Sequence, residues 1–544
     1  MNKQGHILIV DDLKIWREEL VETLQHGGFY ATSASTATEA LKMLNENLYH
    51  ILVLDLRMNE NDQSNIDGIE LLHELDRRGL SEATKVIMLS AHGTPEHMRT
   101  SFREYSVVDF LSKDDFDNKV FLENVQQVFS RKVNTNLTLK IHWQQGSGPE
   151  QVVLNMDIDG TPAKQDTPLH SQIAAELEDL LRRLFYQAES VLVRPLAAGQ
   201  SGTRVLRVQP FYTTGGGGHE VIVKFGAFRK IEEEYDNFME YVQPFLGGGR
   251  NTSILDLRRT PHLGGIIYSL LGTTNERLED FGEFYHHADV SQINDTLDRL
   301  FLDTCGAWYA NHGQLQPLDL AIDYQQLLEY TPGRLEHVVV EQLKSVQGKE
   351  RLSFNHLKSK RTFTNPWSAA AGLSLVLPTY ICITHGDFNH HNLLVDGRGN
   401  MWMIDFQGTG QSHILRDIAI LDSAIRFQLL TAEEATLKER LHMEEVLCSI
   451  ERFSQIEQLA TKLPTENLAV AKAYATVLHL RTLARKLVER NPNADLSEYH
   501  IASFYTALNT LRFSSLAEVQ REHALLCASL LADRLGLDKA ANRD

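Results

Sequence analysis

At 544 residues the chain is too long for one core, and a prior of roughly 100–200 residues per domain gives three or four folding units. Hydrophobic content of 42% and charged content of 23% are those of a soluble globular protein. The 53 Lys+Arg against 72 Asp+Glu leave a formal net charge of −19. This balance disfavours a nucleic-acid-binding output, whose affinity comes from neutralising phosphates with cations, and it is compatible with a cationic substrate. Cys305, Cys382, Cys448 and Cys527 are scattered with no CxxC pair, so they read as reduced core residues of a cytoplasmic protein. The N-terminus lacks the shape of a signal peptide, and no apolar run approaches the ~18 residues of a membrane span.

Residues 1–130 alternate strand and helix patterns. Ile7–Val10, Ile51–Leu54 and Val86–Leu89 read as fully buried strands, with Val107–Leu111 a further one. Continuous apolar strands separated by helices predict a doubly wound, five-stranded parallel sheet of flavodoxin-like order, with its site at the carboxyl ends of the strands. Residues 131–189 are expected to form a linker or small β module. Leu137–Trp143 and Val152–Met156 are its strands, and 171–189 a connecting helix that either packs on the next domain or contributes to a homodimer contact. Residues 190–274 are strand-rich, with strands at Val191–Leu196, Thr203–Val208, Glu220–Lys224, Ser253–Arg258 and Gly265–Leu271 and one charged helix from about Lys230 to Val242. Residues 275–544 read as mostly helical except around 380–406. The expected fold class is thus an α/β doubly wound domain, then an α+β bilobal unit with a helical C-terminal lobe.

Two sets of residues carry chemistry. In the first, Asp11 and Asp12 follow the first strand, Asp55 the third, Ser90 the fourth and Lys113 the fifth. Carboxylates gathered at converging strand ends repel one another, so a bound cation, for which Mg²⁺ is suited, is the natural solution. Asp55 can then act as nucleophile toward a phosphoryl donor, with the Ser90 hydroxyl and the Lys113 ammonium binding the new phosphoryl oxygens. With Val10-Asp-Asp-Leu13, Leu54-Asp-Leu-Arg-Met58, Asp67-Gly68, Met88-Leu-Ser-Ala91 and Phe110-Leu-Ser-Lys113, residues 5–130 resemble the response-regulator receiver family. The resemblance implies phosphorylation of Asp55 by a sensor histidine kinase. It also implies Mg²⁺ held by Asp12, Asp55 and the Arg57 carbonyl, and Phe110 as the aromatic that moves with Ser90. Two departures stand out: a long loop at 59–66, and Asp114 where the family normally has proline.

The second set is Ile383-Thr-His-Gly-Asp-Phe-Asn-His-His-Asn392 followed by Met403-Ile-Asp-Phe406. A strand, a loop and a hairpin bring Asp387, Asn392 and Asp405 to one place, at the spacing of a kinase HxDxxxxN loop and its metal-binding aspartate. The glycine after His385 and the Ile-Asp-Phe run resemble the aminoglycoside phosphotransferase and choline kinase-like group over roughly 190–430. That resemblance implies ATP and Mg²⁺ as cofactors. Asp387 then orients or deprotonates the acceptor hydroxyl, Asn392 and Asp405 ligate the metal, and Lys224 holds the α/β phosphates. Upstream, Gly199, Ser201 and Gly202 in a short Gly-rich turn are expected to approach the phosphates. Of the run Glu232–Glu234, Glu234 is expected to pair with Lys224, because Phe238 and Tyr241 then line the same helix face. His385 reads as a scaffold for the loop, His390 and His391 as substrate contacts, and Asp417 as structural.

Together these readings predict a two-component response regulator whose output is an ATP-dependent phosphotransferase controlled at Asp55. Its acceptor, a small molecule or a protein, is left open. The alternative is a nucleotide-binding pseudokinase acting as a signalling scaffold.

Overall fold

The computed structural model describes residues 5–58, 67–91, 103, 105, 107–196, 202–213, 216–246, 252–270, 278–328, 332–370, 373–489, 491 and 495–537. The chain divides into two compact units, Met1–Tyr235 with Ser253–Leu270, and Asp236–Thr252 with Leu271–Asp544. No helix among the described residues is long and apolar enough to cross a membrane.

The first unit begins with a parallel sheet of strands β1 (His6–Val10), β2 (Tyr30–Ala34), β3 (Ile51–Leu54), β4 (Lys85–Ser90) and β5 (Asp109–Ser112), in the order β2-β1-β3-β4-β5. Side chains alternate across a strand. Leu8, Val10, Leu52, Leu54, Val86 and Met88 therefore fill one core, and Ile7, Ile9, Ile51, Val53, Ile87 and Leu89 fill the other. Burial of both faces is why these strands read as unbroken apolar runs. Helices α1 (Lys14–His26), α2 (Ala37–Glu46), α3 (Asp67–Arg77) and α5 (Asn118–Val128), with the single turn α4 (Leu80–Ala83), accompany the sheet.

The same unit holds a second sheet, in the order Thr252–Arg259, Leu263–Leu270, Val221–Ala227, Arg204–Tyr212, Ser190–Pro195, Lys140–Trp143. The segment 131–189 is not a separate module. Lys140–Trp143 pairs in parallel with Ser190–Pro195, and the helix Pro168–Leu184 buries Ile173, Leu177, Leu180 and Leu181 in one core with Val191, Val208, Val223 and Phe225. The expected strand at Val152–Met156 is instead the end of a short helix, Pro149–Val153. Pro149 sits at its first position, where a missing N–H costs nothing.

The opposite face of Pro168–Leu184 is polar, yet it is buried. Glu176 is 0% and Asp179 2% exposed. Asp179 Oδ1 accepts from His50 Nε2 at 2.9 Å, and Asp179 Oδ2 from Arg183 Nε at 2.6 Å. Arg183 Nη1 donates to the Ala83 carbonyl at 3.0 Å, and Gln172 donates to that of Asn45 at 3.1 Å. The backbone N–H of His6 donates to His50 Nδ1 at 3.0 Å, which leaves Nε2 to carry the proton offered to Asp179. The parallel sheet is thus seated on this helix by the amino-terminal ends of β1, β3 and β4. One turn earlier, Glu176 accepts from Thr260 Oγ1 at 2.6 Å and from the His262 N–H at 2.9 Å, and its other oxygen lies 2.7 Å from His262 Nδ1.

In the second unit, helices Leu320–Leu327, Arg416–Ala424, Leu437–Leu447, Ser497–Thr510 and Glu518–Arg534 contribute to a large apolar core. Buried charges cross-link it: Arg426 pairs with Asp422 and with Glu444 (2.8 Å), and Glu444 also meets His523 at 2.8 Å. The stretch before 380, expected to be mostly helical, also contains short antiparallel strands. Gln316–Asp319 pairs with Val376–Thr379, and Val346–Gln347, Arg351–Phe354 and Phe363–Thr364 form a small sheet.

Candidate functional site

In the first unit, β1, β3, β4 and β5 end along one edge of the sheet, where Asp11, Asp55 and Lys113 meet. Lys113 Nζ lies 2.6 Å from Asp11 Oδ2 and 2.5 Å from Asp55 Oδ2. Burial alone pushes the Lys113 ammonium pKa down, but Asp55 and Asp11 more than offset this and raise it. Burial raises the Asp11 carboxyl, and Lys113 offsets only part of that. Carboxylate oxygens of Asp11, Asp12 and Asp55 lie within 4.8 Å of one another, an all-oxygen set that suits a small hard dication. Ser90 ends β4, is buried, and its carbonyl accepts from the Lys113 N–H at 3.2 Å. Phe110, opposite Met88 on β5, packs partly buried against the core. A Cβ at Gly68 would lie 2.3 Å from the Asp55 carbonyl oxygen, so only glycine lets α3 start this close to Asp55. The long loop at 59–66 lies outside the described residues.

Lys224 stands on the strand Val221–Ala227, between Val205 and Ile266 on the neighbouring strands. It is 1% exposed, and its Nζ lies 2.6 Å from Oε2 of Glu234, itself 0% exposed. The Tyr268 hydroxyl donates a short hydrogen bond to the same carboxylate. Gly199 and Ser201 lie outside the described residues, while Gly202 has φ +79°.

In the second unit, Ile381–Thr384 pairs with Gly410–His413 and delivers the loop that carries Asp387. Asn392 Nδ2 donates to Asp387 Oδ2 at 2.9 Å and to the Asp387 carbonyl at 3.0 Å. The hairpin Leu393–Val395/Met401–Met403 brings Ile404 back, and its N–H donates to the Asn392 carbonyl at 3.0 Å. Asp405 is therefore adjacent in space to the 387–392 loop, and it holds φ +73°, unusual for a residue with a side chain. Gly386 has φ +85°, and a Cβ there would lie 2.0 Å from the Gly408 carbonyl oxygen, so glycine is obligatory before Asp387.

The loop is fixed from beneath. Asp417, fully buried, accepts from the His385 N–H (2.9 Å), the Gly386 N–H (2.9 Å) and the Tyr309 hydroxyl (3.0 Å). The His385 ring packs between Phe388 and Phe406, with centroids 5.1 and 5.2 Å away. His390 is buried against Gly282, and burial pushes its pKa down to about 3. His391 is exposed and meets Asp280 at 3.0 Å. Burial raises the Asp417 pKa to about 6, only partly offset by the N–H donors of Gly386 and His385. A raised carboxyl pKa makes the fold most stable below the unfolded value near 4 and less so as pH rises through the folded one. Relative to Asp417→Asn, the wild-type unfolding free energy is expected to fall by ~3 kcal/mol between pH 4 and 7, measured by denaturant titration.

Sequence comparison places the first of these sites in a known class. Residues 7–126 match the response regulator receiver domain, and the chain carries the receiver of a two-component response regulator. Residues 188–351 and 361–512, more than half of the chain, match Ternary complex associated domain 9, and the chain belongs to that family. Among curated relatives, the two-component response regulator ORR27 of Oryza sativa is 36% identical over 91 residues, 15% of this chain and 14% of that protein. The transcriptional regulatory protein GlrR of Escherichia coli is 30% identical over 113 residues, 21% of this chain and 23% of that protein. The chain thus spans less than a quarter of the length of either. Among solved structures, the response regulator TrrA of Thermotoga maritima, in complex with Mg²⁺ and BeF, is 28% identical over 23% of this chain and 99% of that one, with a TM-score of 0.20. Histidine kinases in general are the phosphodonors of receivers.

The sequence reading missed the Asp179, Glu176 and Arg183 contacts. The Asp179–Arg183 spacing is that of an i,i+4 pair on one helix, but no local signal marks His50, Ala83, Thr260 or His262 as partners, because each lies far away in the chain.

Proposed function

We propose that this response regulator has ATP-dependent phosphotransfer to a hydroxyl acceptor as its output, controlled by phosphorylation of Asp55. The observation that carries the reading is the Asp387–Asn392 pair, hydrogen-bonded at 2.9 Å on a loop held by buried Asp417, with Asp405 returned beside it. Asp387 orients the acceptor hydroxyl and takes its proton. Asn392 and Asp405 offer the amide and carboxylate oxygens that suit Mg²⁺. The metal, when bound, neutralises charge on the ATP phosphates. Lys224, held by Glu234, is assigned to the α/β phosphates. In the receiver, Asp11, Asp12 and Asp55 are assigned to Mg²⁺, and Ser90 and Lys113 to the phosphoryl oxygens.

Steady-state ATP turnover tests the output reading. Asp387→Ala is expected to lower it by about 10²-fold, as loss of a general base does, and turnover equal to wild type overturns the assignment. Asp405→Gly separates chemistry from folding. Glycine relieves the left-handed backbone, so stability is expected to stay within ~1 kcal/mol of wild type while Mg²⁺-dependent turnover disappears.

A second reading, a nucleotide-binding scaffold without turnover, is favoured by the family description, which names association in a complex rather than a reaction. Saturable ATP binding with no product on any acceptor would select it.

A further inference from the structure

Arg416 opens the helix Arg416–Ala424, directly before the aspartate that holds the 385–387 loop. Its side chain is 92% buried, being 8% exposed. Burying a guanidinium is costly unless an anion accompanies it. Yet among the described residues Arg416 forms no ion pair, and its one hydrogen bond runs from Nη1 to Ser412 Oγ at 3.4 Å. Asp417 and Asp323 both feel its charge without pairing with it, and Asp323 Oδ2 is itself buried without a hydrogen-bond partner. The Nε and Nη2 groups of Arg416 are not sealed from solvent. The cation is therefore held in place, stripped of most of its water, and left with donors to spare.

Its position gives that surplus a meaning. A Cβ built on Gly386 would lie 3.3 Å from Arg416 Cζ, so the guanidinium lies against the residue preceding Asp387. Its other neighbours include Asp323 on Leu320–Leu327 and Ser412 on Gly410–His413. It thus flanks Asp387, where an acceptor's remaining groups would extend. A planar guanidinium fork matches carboxylate and phosphate oxygens bidentately.

We propose that the acceptor carries an anionic oxygen group, a carboxylate or a phosphate, and that Arg416 binds it beside Asp387. This rests on the phosphotransfer reading above and sharpens it, because the net charge of the chain is compatible with a cationic substrate and the sequence leaves the acceptor open.

Calorimetric titration of the full chain without nucleotide tests the assignment. Glycerate is the carboxylate probe, glycerol 3-phosphate the phosphate probe and glucosamine the cationic control. Wild type is expected to bind at least one anion more tightly than glucosamine. Arg416→Gln is expected to weaken that anion by roughly 10- to 100-fold, the range for a hydrogen-bonded charge, and Arg416→Lys to retain more of the affinity. Glucosamine binding as tightly as both anions, or unchanged anion affinity in a folded Arg416→Gln, overturns the proposal.

If Arg416→Gln does not fold, phenylglyoxal labelling of wild type decides, read by mass spectrometry of the peptide containing Arg416. Protection by an anionic probe supports the assignment, and labelling unaffected by either probe overturns it. Protection by ATP but by neither ADP nor the probes gives the guanidinium to the terminal phosphate of the nucleotide, which also overturns it. Full ATP turnover in Asp387→Ala with Arg416-dependent anion binding intact would remove the phosphotransfer reading and leave the binding site standing. The two claims therefore fail separately.

Discussion

Asp179→Ala is expected to lower the unfolding free energy by ~3–5 kcal/mol, the cost of removing one partner from a buried charge pair. Asp179 is 2% exposed and answers both Arg183 at 2.6 Å and His50 at 2.9 Å. Burial pushes its carboxyl pKa up, but Arg183 and His50 more than offset this and hold it well below the ordinary carboxylate range. A depressed carboxyl stabilises the fold above pH ~4 and loses that contribution as pH falls through the folded value. Alanine leaves the buried Arg183 guanidinium without its carboxylate. Denaturant titration of the full chain measures the loss, and a change below ~1 kcal/mol would mean that the pair is dispensable. Asp179→Leu combined with Arg183→Met should recover most of the loss, since well-packed apolar replacements of buried ion pairs are often neutral or better.

Glu234→Ala should cost a similar ~3–5 kcal/mol, because Lys224 would then be buried without its carboxylate. Glu234→Gln should cost less, since the amide oxygen can still accept from the Tyr268 hydroxyl. The decisive comparison is Lys224→Met with Glu234→Leu. This pair is expected to melt near the wild-type temperature yet to lose ATP affinity, measured by equilibrium dialysis. Unchanged ATP affinity would make the Lys224–Glu234 pair a purely structural element of the sheet.

The receiver was legible because its information is local. Each strand is a continuous apolar run, and each site residue lies at or just past a strand's carboxyl end, so order along the chain predicts convergence in space. The Asp387–Asn392 loop was legible for the same reason, since five positions of one turn fix the pair. What escaped was non-local. Lys140–Trp143 joins its sheet through residues fifty positions later. The apolar run Val152–Met156 mimics a strand, but Pro149 sets a helical start just before it. The charged face of Pro168–Leu184 reads as solvated, since nothing in the sequence tells Asp179 that His50 waits for it. Arg416 likewise reads as an ordinary first-turn residue until its burial and its lack of an ion pair among the described residues are known.

In this chain the pole of the receiver opposite Asp55 is soldered to Pro168–Leu184 by a histidine, a carboxylate and a guanidinium. A chain cut near residue 130 would bare a charged scar on the helix left behind. A foreign receiver grafted there would have to bring its own imidazole to the place of His50, while its phosphoacceptor mouth, at the far pole, would notice nothing.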